Sequence, residues 1–84
     1  IGNHTYVSSH VVFSGHCLVG QRNFFGVNST IKDFCSIGDD CFVGMNSTVA
    51  SDLASGSVVL PARCDVLPQD DRKAKALKRA YFKI

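Results

Sequence analysis

The sequence predicts an all-β solenoid: a parallel β-helix of about three coils followed by a C-terminal α-helix. Three observations carry that prediction. Ile1, Val7, Phe13, Val19, Phe25, Ile31, Ile37, Val43 and Val49 recur every six residues without a slip, and each is a sizeable apolar side chain. Phe25-Gly-Val-Asn-Ser-Thr-Ile31 returns eighteen residues later as Val43-Gly-Met-Asn-Ser-Thr-Val49, a self-similarity at fixed period that marks stacked repeat units. From Gln69 onward the period changes, with Ala74, Leu77, Tyr81 and Ile84 at helical spacing.

The first 54 residues divide into nine hexads. Place one is bulky and apolar. Place two is mostly small (Gly2, Gly20, Gly26, Gly38 and Gly44 among them), and so is place five (Thr5, Cys17, Ser29, Cys35, Cys41 and Ser47 among them). Residues two apart on a strand share a face, so place five and the next place one both point inward. A glycine directly after the bulky residue offers a backbone free to turn. A turn every six residues makes very short strands, and three of them close a coil of eighteen residues, stacked about 4.8 Å from the next.

Stacking puts Ile1, Val19 and Ile37 in one inward column, Val7, Phe25 and Val43 in a second, and Phe13, Ile31 and Val49 in a third. Outward place six carries Tyr6, Phe24 and Phe42 on one face, against Val12, Thr30 and Thr48 or Leu18, Ser36 and Ala54 on the others. An exposed aromatic ladder calls for a cover, either a subunit contact or the C-terminal helix. The expected organisation is a β-helix over 1–60, a connector over 61–69 and a helix over 70–84, its body at 70–82, with Asp70 and Asp71 suited to its first turn.

Composition bounds the function. At 84 residues and 9.1 kDa the chain is one domain near the size at which a core becomes marginal. A partner is expected, and because Ile1-Gly2 already lies inside the six-residue rhythm, upstream repeats are expected too. The net charge is +2, but five of nine cations fall within Arg72–Arg79, so the repeat region is too poor in cations for a nucleic-acid surface. No apolar run is long enough to span a bilayer and no stretch reads as a signal peptide. Cys17, Cys35, Cys41 and Cys64 lack paired metal spacing; reduced thiols, the first three buried, and a cytoplasmic setting are expected. Asn3, Asn28 and Asn46 head glycosylation sequons that the repeat itself explains.

This pattern resembles the hexapeptide-repeat, left-handed parallel β-helix acyltransferases. Within that superfamily, Ser8-Ser-His-Val-Val-Phe-Ser-Gly-His-Cys-Leu-Val-Gly20 followed by Phe25–Ile31 is similar to the bacterial sialic-acid and nucleotide-sugar acetyltransferases. The resemblance implies a homotrimer with acetyl-CoA, the co-substrate, lying between neighbouring subunits. It also implies a histidine as general base on a sugar hydroxyl or amine, with no metal. Imidazole suits that role because its ordinary pKa lies nearest the working pH, and the thioester oxyanion needs a backbone N–H donor.

His4, His10 and His16 all occupy place four, on three successive sides of the first coil. The base is assigned equally to His10 and His16, with His4 a bystander, and cofactor contacts to Asn28, Asn46 and Gly44; the alternative for Asn28 and Asn46, stacked one above the other, is an outward asparagine ladder. The position where relatives often carry the base, two before Cys-aliphatic-aliphatic-Gly, is Gly15 here. The exit segment Ser57-Val-Val-Leu-Pro61-Ala-Arg departs from the usual Gly-x-Pro-Ala turn. Two other functions compete: a truncated, non-catalytic trimeric β-helix module, and a relative of the γ-type carbonic anhydrases. The latter binds zinc through three histidines, two of them five residues apart, where this chain has a spacing of six.

Overall fold

The computed structural model describes residues 1–82; Ile84, expected on the helix, lies outside them. Nine two-residue strands run β1 (Tyr6–Val7), β2 (Val12–Phe13), β3 (Leu18–Val19), β4 (Phe24–Phe25), β5 (Thr30–Ile31), β6 (Ser36–Ile37), β7 (Phe42–Val43), β8 (Thr48–Val49) and β9 (Val58–Val59), followed by α1 (Arg72–Phe82). They form three parallel sheets, β1-β4-β7-β9, β2-β5-β8 and β3-β6. The register is the repeat itself: Tyr6 lies opposite Phe24, and Phe24 opposite Phe42, each eighteen residues on. After Val49 the rhythm breaks, and Phe42 pairs with Val58 only sixteen residues later. The result is a parallel β-solenoid of about three coils with one C-terminal helix, consistent with the left-handed β-helix expected.

The core is the apolar shaft. Phe25, Ile31, Ile37, Val43 and Val49 are buried together with Cys35 and Cys41 from place five. Each inward side chain is covered by the coils on either side, so the first coil is the most open. Val7 is 40% exposed where Phe25 and Val43 beneath it are 0%. Phe13 meets Phe25 edge to face at 4.9 Å. Place five also carries a buried polar tie between coils: Asn23 donates from Nδ2 to Gly38 O at 2.9 Å and accepts the Cys41 N–H at 2.7 Å. Both ends of this buried amide are satisfied. The cysteines are free thiols, with Cys35 and Cys41 buried, Cys17 half-buried and Cys64 exposed.

The corners are not where the glycines are. Place four turns the chain: His4, His10, His16, Arg22, Asn28, Phe34, Asp40 and Asn46 all hold φ between 56° and 63°, whereas among the glycines only Gly56 has a positive φ. Left-handed backbone costs a residue with a Cβ about 1–2 kcal/mol. In the second and third coils it is held by the corner N–H, which donates to the coil above, as in Asn28 N–H to Ser9 O at 3.0 Å, Phe34 to Gly15 O at 3.0 Å and Asn46 to Val27 O at 2.8 Å.

The glycines of place two serve close approach instead. A Cβ on Gly26 would lie 2.5 Å from Met45 N, and one on Gly38 2.6 Å from Ser55 N. Glycine lets one coil sit directly on the next.

The C-terminal segment departs from expectation in two ways. Asp71 is the N-cap of α1 rather than part of its first turn: its Oδ2 accepts the N–H groups of Lys73 at 2.9 Å and Ala74 at 3.2 Å. The helix has no buried residue, so within one chain it does not cover the aromatic ladder, where Tyr6 is 61% and Phe42 43% exposed. The molecule measures 52 × 22 × 21 Å. A stack of three to four coils accounts for only about 15 Å of that length, and the connector and helix extend it.

Candidate active site at the coil corners

Residues eighteen apart at place four sit above one another, so each corner of the prism is a short column of side chains. The first column is His4, Arg22 and Asp40. Arg22 Nε and Nη2 donate to the two carboxylate oxygens of Asp40 at 2.8 and 3.0 Å. Hydrogen bonding to Arg22, reinforced by its charge, holds the Asp40 carboxyl below its ordinary pKa and raises the guanidinium in turn. Both side chains are about half exposed.

The second column is His10, Asn28 and Asn46, between the β1-β4-β7-β9 and β2-β5-β8 sheets. Its backbone is left-handed at φ 58°, 61° and 60°, which turns the side chains out at the edge, and all three residues are exposed. Asn28 Nδ2 donates to Asn46 Oδ1 at 3.0 Å, and among the described residues the other amide groups of the pair and the imidazole above them make no side-chain hydrogen bond. Beneath the corner, Ser29 Oγ donates to Gly26 O at 2.8 Å, while Ser47 Oγ is buried without a hydrogen-bond partner among the described residues. Gly44 lies just after β7, and a Cβ there would meet Pro61 Cδ at 3.1 Å and Val59 O at 3.2 Å. It is packed against the exit segment and is itself buried.

The third column begins with His16, whose ring stacks on Phe34 with centroids 4.9 Å apart and planes 10° from parallel. Next to it Cys17 Sγ lies 3.2 Å from both Ser14 O and Lys32 O, either of which can accept its single S–H. One chain therefore gathers His10, Asn28 and Asn46 on a single edge, with Gly44 buried close behind. It places His16 on the next edge, across the β2-β5-β8 sheet. Among the described residues of one chain, no three histidine, cysteine, aspartate or glutamate side chains converge as a metal site would.

Two corner contacts escaped the sequence reading: the Arg22–Asp40 ion pair and the His16–Phe34 stack. The signal that reveals them is the one that revealed Asn28 over Asn46, a separation of eighteen at place four, applied to every column.

The fold and its edges define a class: a parallel solenoid of hexapeptide coils presenting polar columns at its corners. Residues 16–51 match the family described as bacterial transferase hexapeptide (six repeats), and match and solenoid together support the hexapeptide-repeat superfamily. Such repeats are found in acyltransferases and related trimeric β-helix proteins. Comparison with curated proteins and with solved structures finds no match. No helix among the described residues is long and apolar enough to cross a membrane.

Proposed function

We propose that this solenoid serves an acetyl-CoA-dependent acetyltransferase of the sialic-acid or nucleotide-sugar type. It acts as a homotrimer in the cytoplasm on a sugar hydroxyl or amine. The observation that carries the reading is the edge formed by His10, Asn28 and Asn46: an exposed imidazole that makes no hydrogen bond among the described residues, heading a column of exposed amides. On this reading His10 removes the proton from the acceptor as it attacks the thioester, and the Asn28–Asn46 pair and the backbone near Gly44 contact the cofactor. His16, offered by a neighbouring subunit, is the alternative base. Its ring is already engaged by Phe34, which makes His10 the first choice.

A second reading, a non-catalytic trimeric module, is favoured by one observation. Neither His10 nor His16 makes a hydrogen bond to a group that would fix its tautomer, among the described residues of one chain. The two readings separate in a thiol-release assay with acetyl-CoA and a panel of amino sugars and nucleotide sugars. The enzyme reading expects turnover that falls about 10²-fold or more in His10→Asn, as loss of a general base does, together with loss of the limb of the pH profile that reports the base. Absence of turnover with every acceptor supports the module.

A further inference from the structure

Two apolar surfaces of this chain face solvent and match each other. The first is the outward face of the β1-β4-β7-β9 sheet. There Tyr6, Phe24 and Phe42 stack ring on ring, with centroids 5.4 and 5.0 Å apart and planes within 5° and 9° of parallel. Val58, paired with Phe42, continues the column. The second is the Ala74, Leu77 and Tyr81 side of α1, flanked by Lys73 and Lys78, with Arg72, Lys75 and Arg79 on the far side.

Their sizes agree. Eleven residues of helix are about 16 Å long, and four strands separated by three gaps span about 14 Å. Their charges are complementary. Residues 1–60 hold two cations against four aspartates, and residues 61–84 hold seven cations against three. Asp39 lies on the corner that leads into Phe42, where a basic helix would pass, next to Asp40, whose carboxylate is already paired with Arg22.

We propose that α1 of a second copy of this chain lies along the ladder of Tyr6, Phe24, Phe42 and Val58. The helix of the same chain leaves that face open, and the eleven-residue connector from Pro61 to Asp71 can span up to about 36 Å, ample to reach a neighbour. Exchange of helices between copies buries both unpartnered surfaces at once and closes without a free face. This assembly does not depend on the acetyltransferase reading.

The test is disulfide trapping in full-length chains carrying Cys64→Ser, which removes the one exposed thiol. A Phe42→Cys chain is mixed with a Leu77→Cys chain and mildly oxidised. The expected product is the mixed dimer joined through positions 42 and 77, at a yield above either self-linked dimer. Adding Tyr81→Glu to the Leu77→Cys chain should lower that yield about tenfold, the factor expected for loss of one large buried side chain.

Three results overturn the proposal. The first is self-linked Phe42→Cys dimers only, which indicate ladder against ladder. The second is a doubly substituted chain that closes as a monomer, which places the helix on its own solenoid. The third is mixed dimers whose yield ignores Tyr81→Glu. Acetyl transfer that persists in a chain giving any of these leaves the enzyme reading standing while the helix docking fails.

Discussion

Gly26→Ala tests how the coils are held at their spacing. The added methyl carbon would stand 2.5 Å from Met45 N and 2.8 Å from Gly44 C and Met45 Cα, where ordinary contacts begin at about 3.5 Å. All three atoms are backbone, so no rotamer change relieves the overlap. They are also pinned, since Gly26 N–H donates to Val43 O and Asn46 N–H to Val27 O, both at 2.8 Å. Relief requires the two coils to part locally, losing core contact and at least one of those hydrogen bonds. Overpacking costs about 1–3 kcal/mol and a lost backbone bond about 1 kcal/mol, so the substitution should destabilise the solenoid by about 3 kcal/mol. Gly15→Ala is the control. Nothing lies within 4 Å of a Cβ there and its φ is not positive, so a stiffer unfolded chain should leave stability equal or about 0.4–1 kcal/mol higher. Urea unfolding followed by circular dichroism measures both. If the two variants fall within about 0.5 kcal/mol of each other, close approach is not why glycine stands at place two.

Other expectations follow from single residues. Asn23→Ala strands the Cys41 N–H and Gly38 O inside the shaft and should cost about 3 kcal/mol in the same unfolding experiment. Asp71→Ala removes the cap of α1, and helical ellipticity should fall by an amount reflecting about 1 kcal/mol. The Arg22–Asp40 pair gives a small acid dependence. Because the folded pKa of Asp40 is lowered, its contribution is full above the ordinary aspartate pKa and disappears as pH falls through the lowered value. Both groups are solvent-exposed, so the effect is screened by salt. Arg22→Ala should flatten the acid limb of a stability–pH curve at low salt and leave the neutral range little changed.

The solenoid was legible because its physics is periodic. A bulky residue at every sixth position fixes the inward columns, and an echo at eighteen fixes the coil, so Phe25 over Val43 and Tyr6 over Phe24 could be placed before any coordinates. The turn position was misplaced because glycine was read for its freedom of φ rather than for its lack of a Cβ. The correct signal was present: place four holds His4, His10, His16, Asn28, Asp40 and Asn46, polar types that tolerate left-handed backbone best. Arg22 and Phe34 break that rule; Arg22 is paired with Asp40 and Phe34 is stacked under His16.

The site was legible only as columns. Pairs within one corner, such as Asn28 and Asn46, follow from the repeat, but any meeting of His10 with His16 depends on how copies pack, which no period within one chain encodes. The position of α1 was hidden for a similar reason. Its period specifies an apolar side but not the surface it meets, and the connector that precedes it makes no strand or helix to set its direction.

The most direct test of the functional account is the thermal unfolding midpoint of the full chain as acetyl-CoA is added. A ligand that binds only the folded protein stabilises it by about 2.7 kcal/mol at a hundred times its Kd, which for a chain of this size raises the midpoint by roughly 10 °C or more. The account predicts a rise that saturates with acetyl-CoA and persists in His10→Asn, since that histidine moves a proton rather than holding the cofactor. A midpoint that stays fixed up to millimolar acetyl-CoA contradicts it.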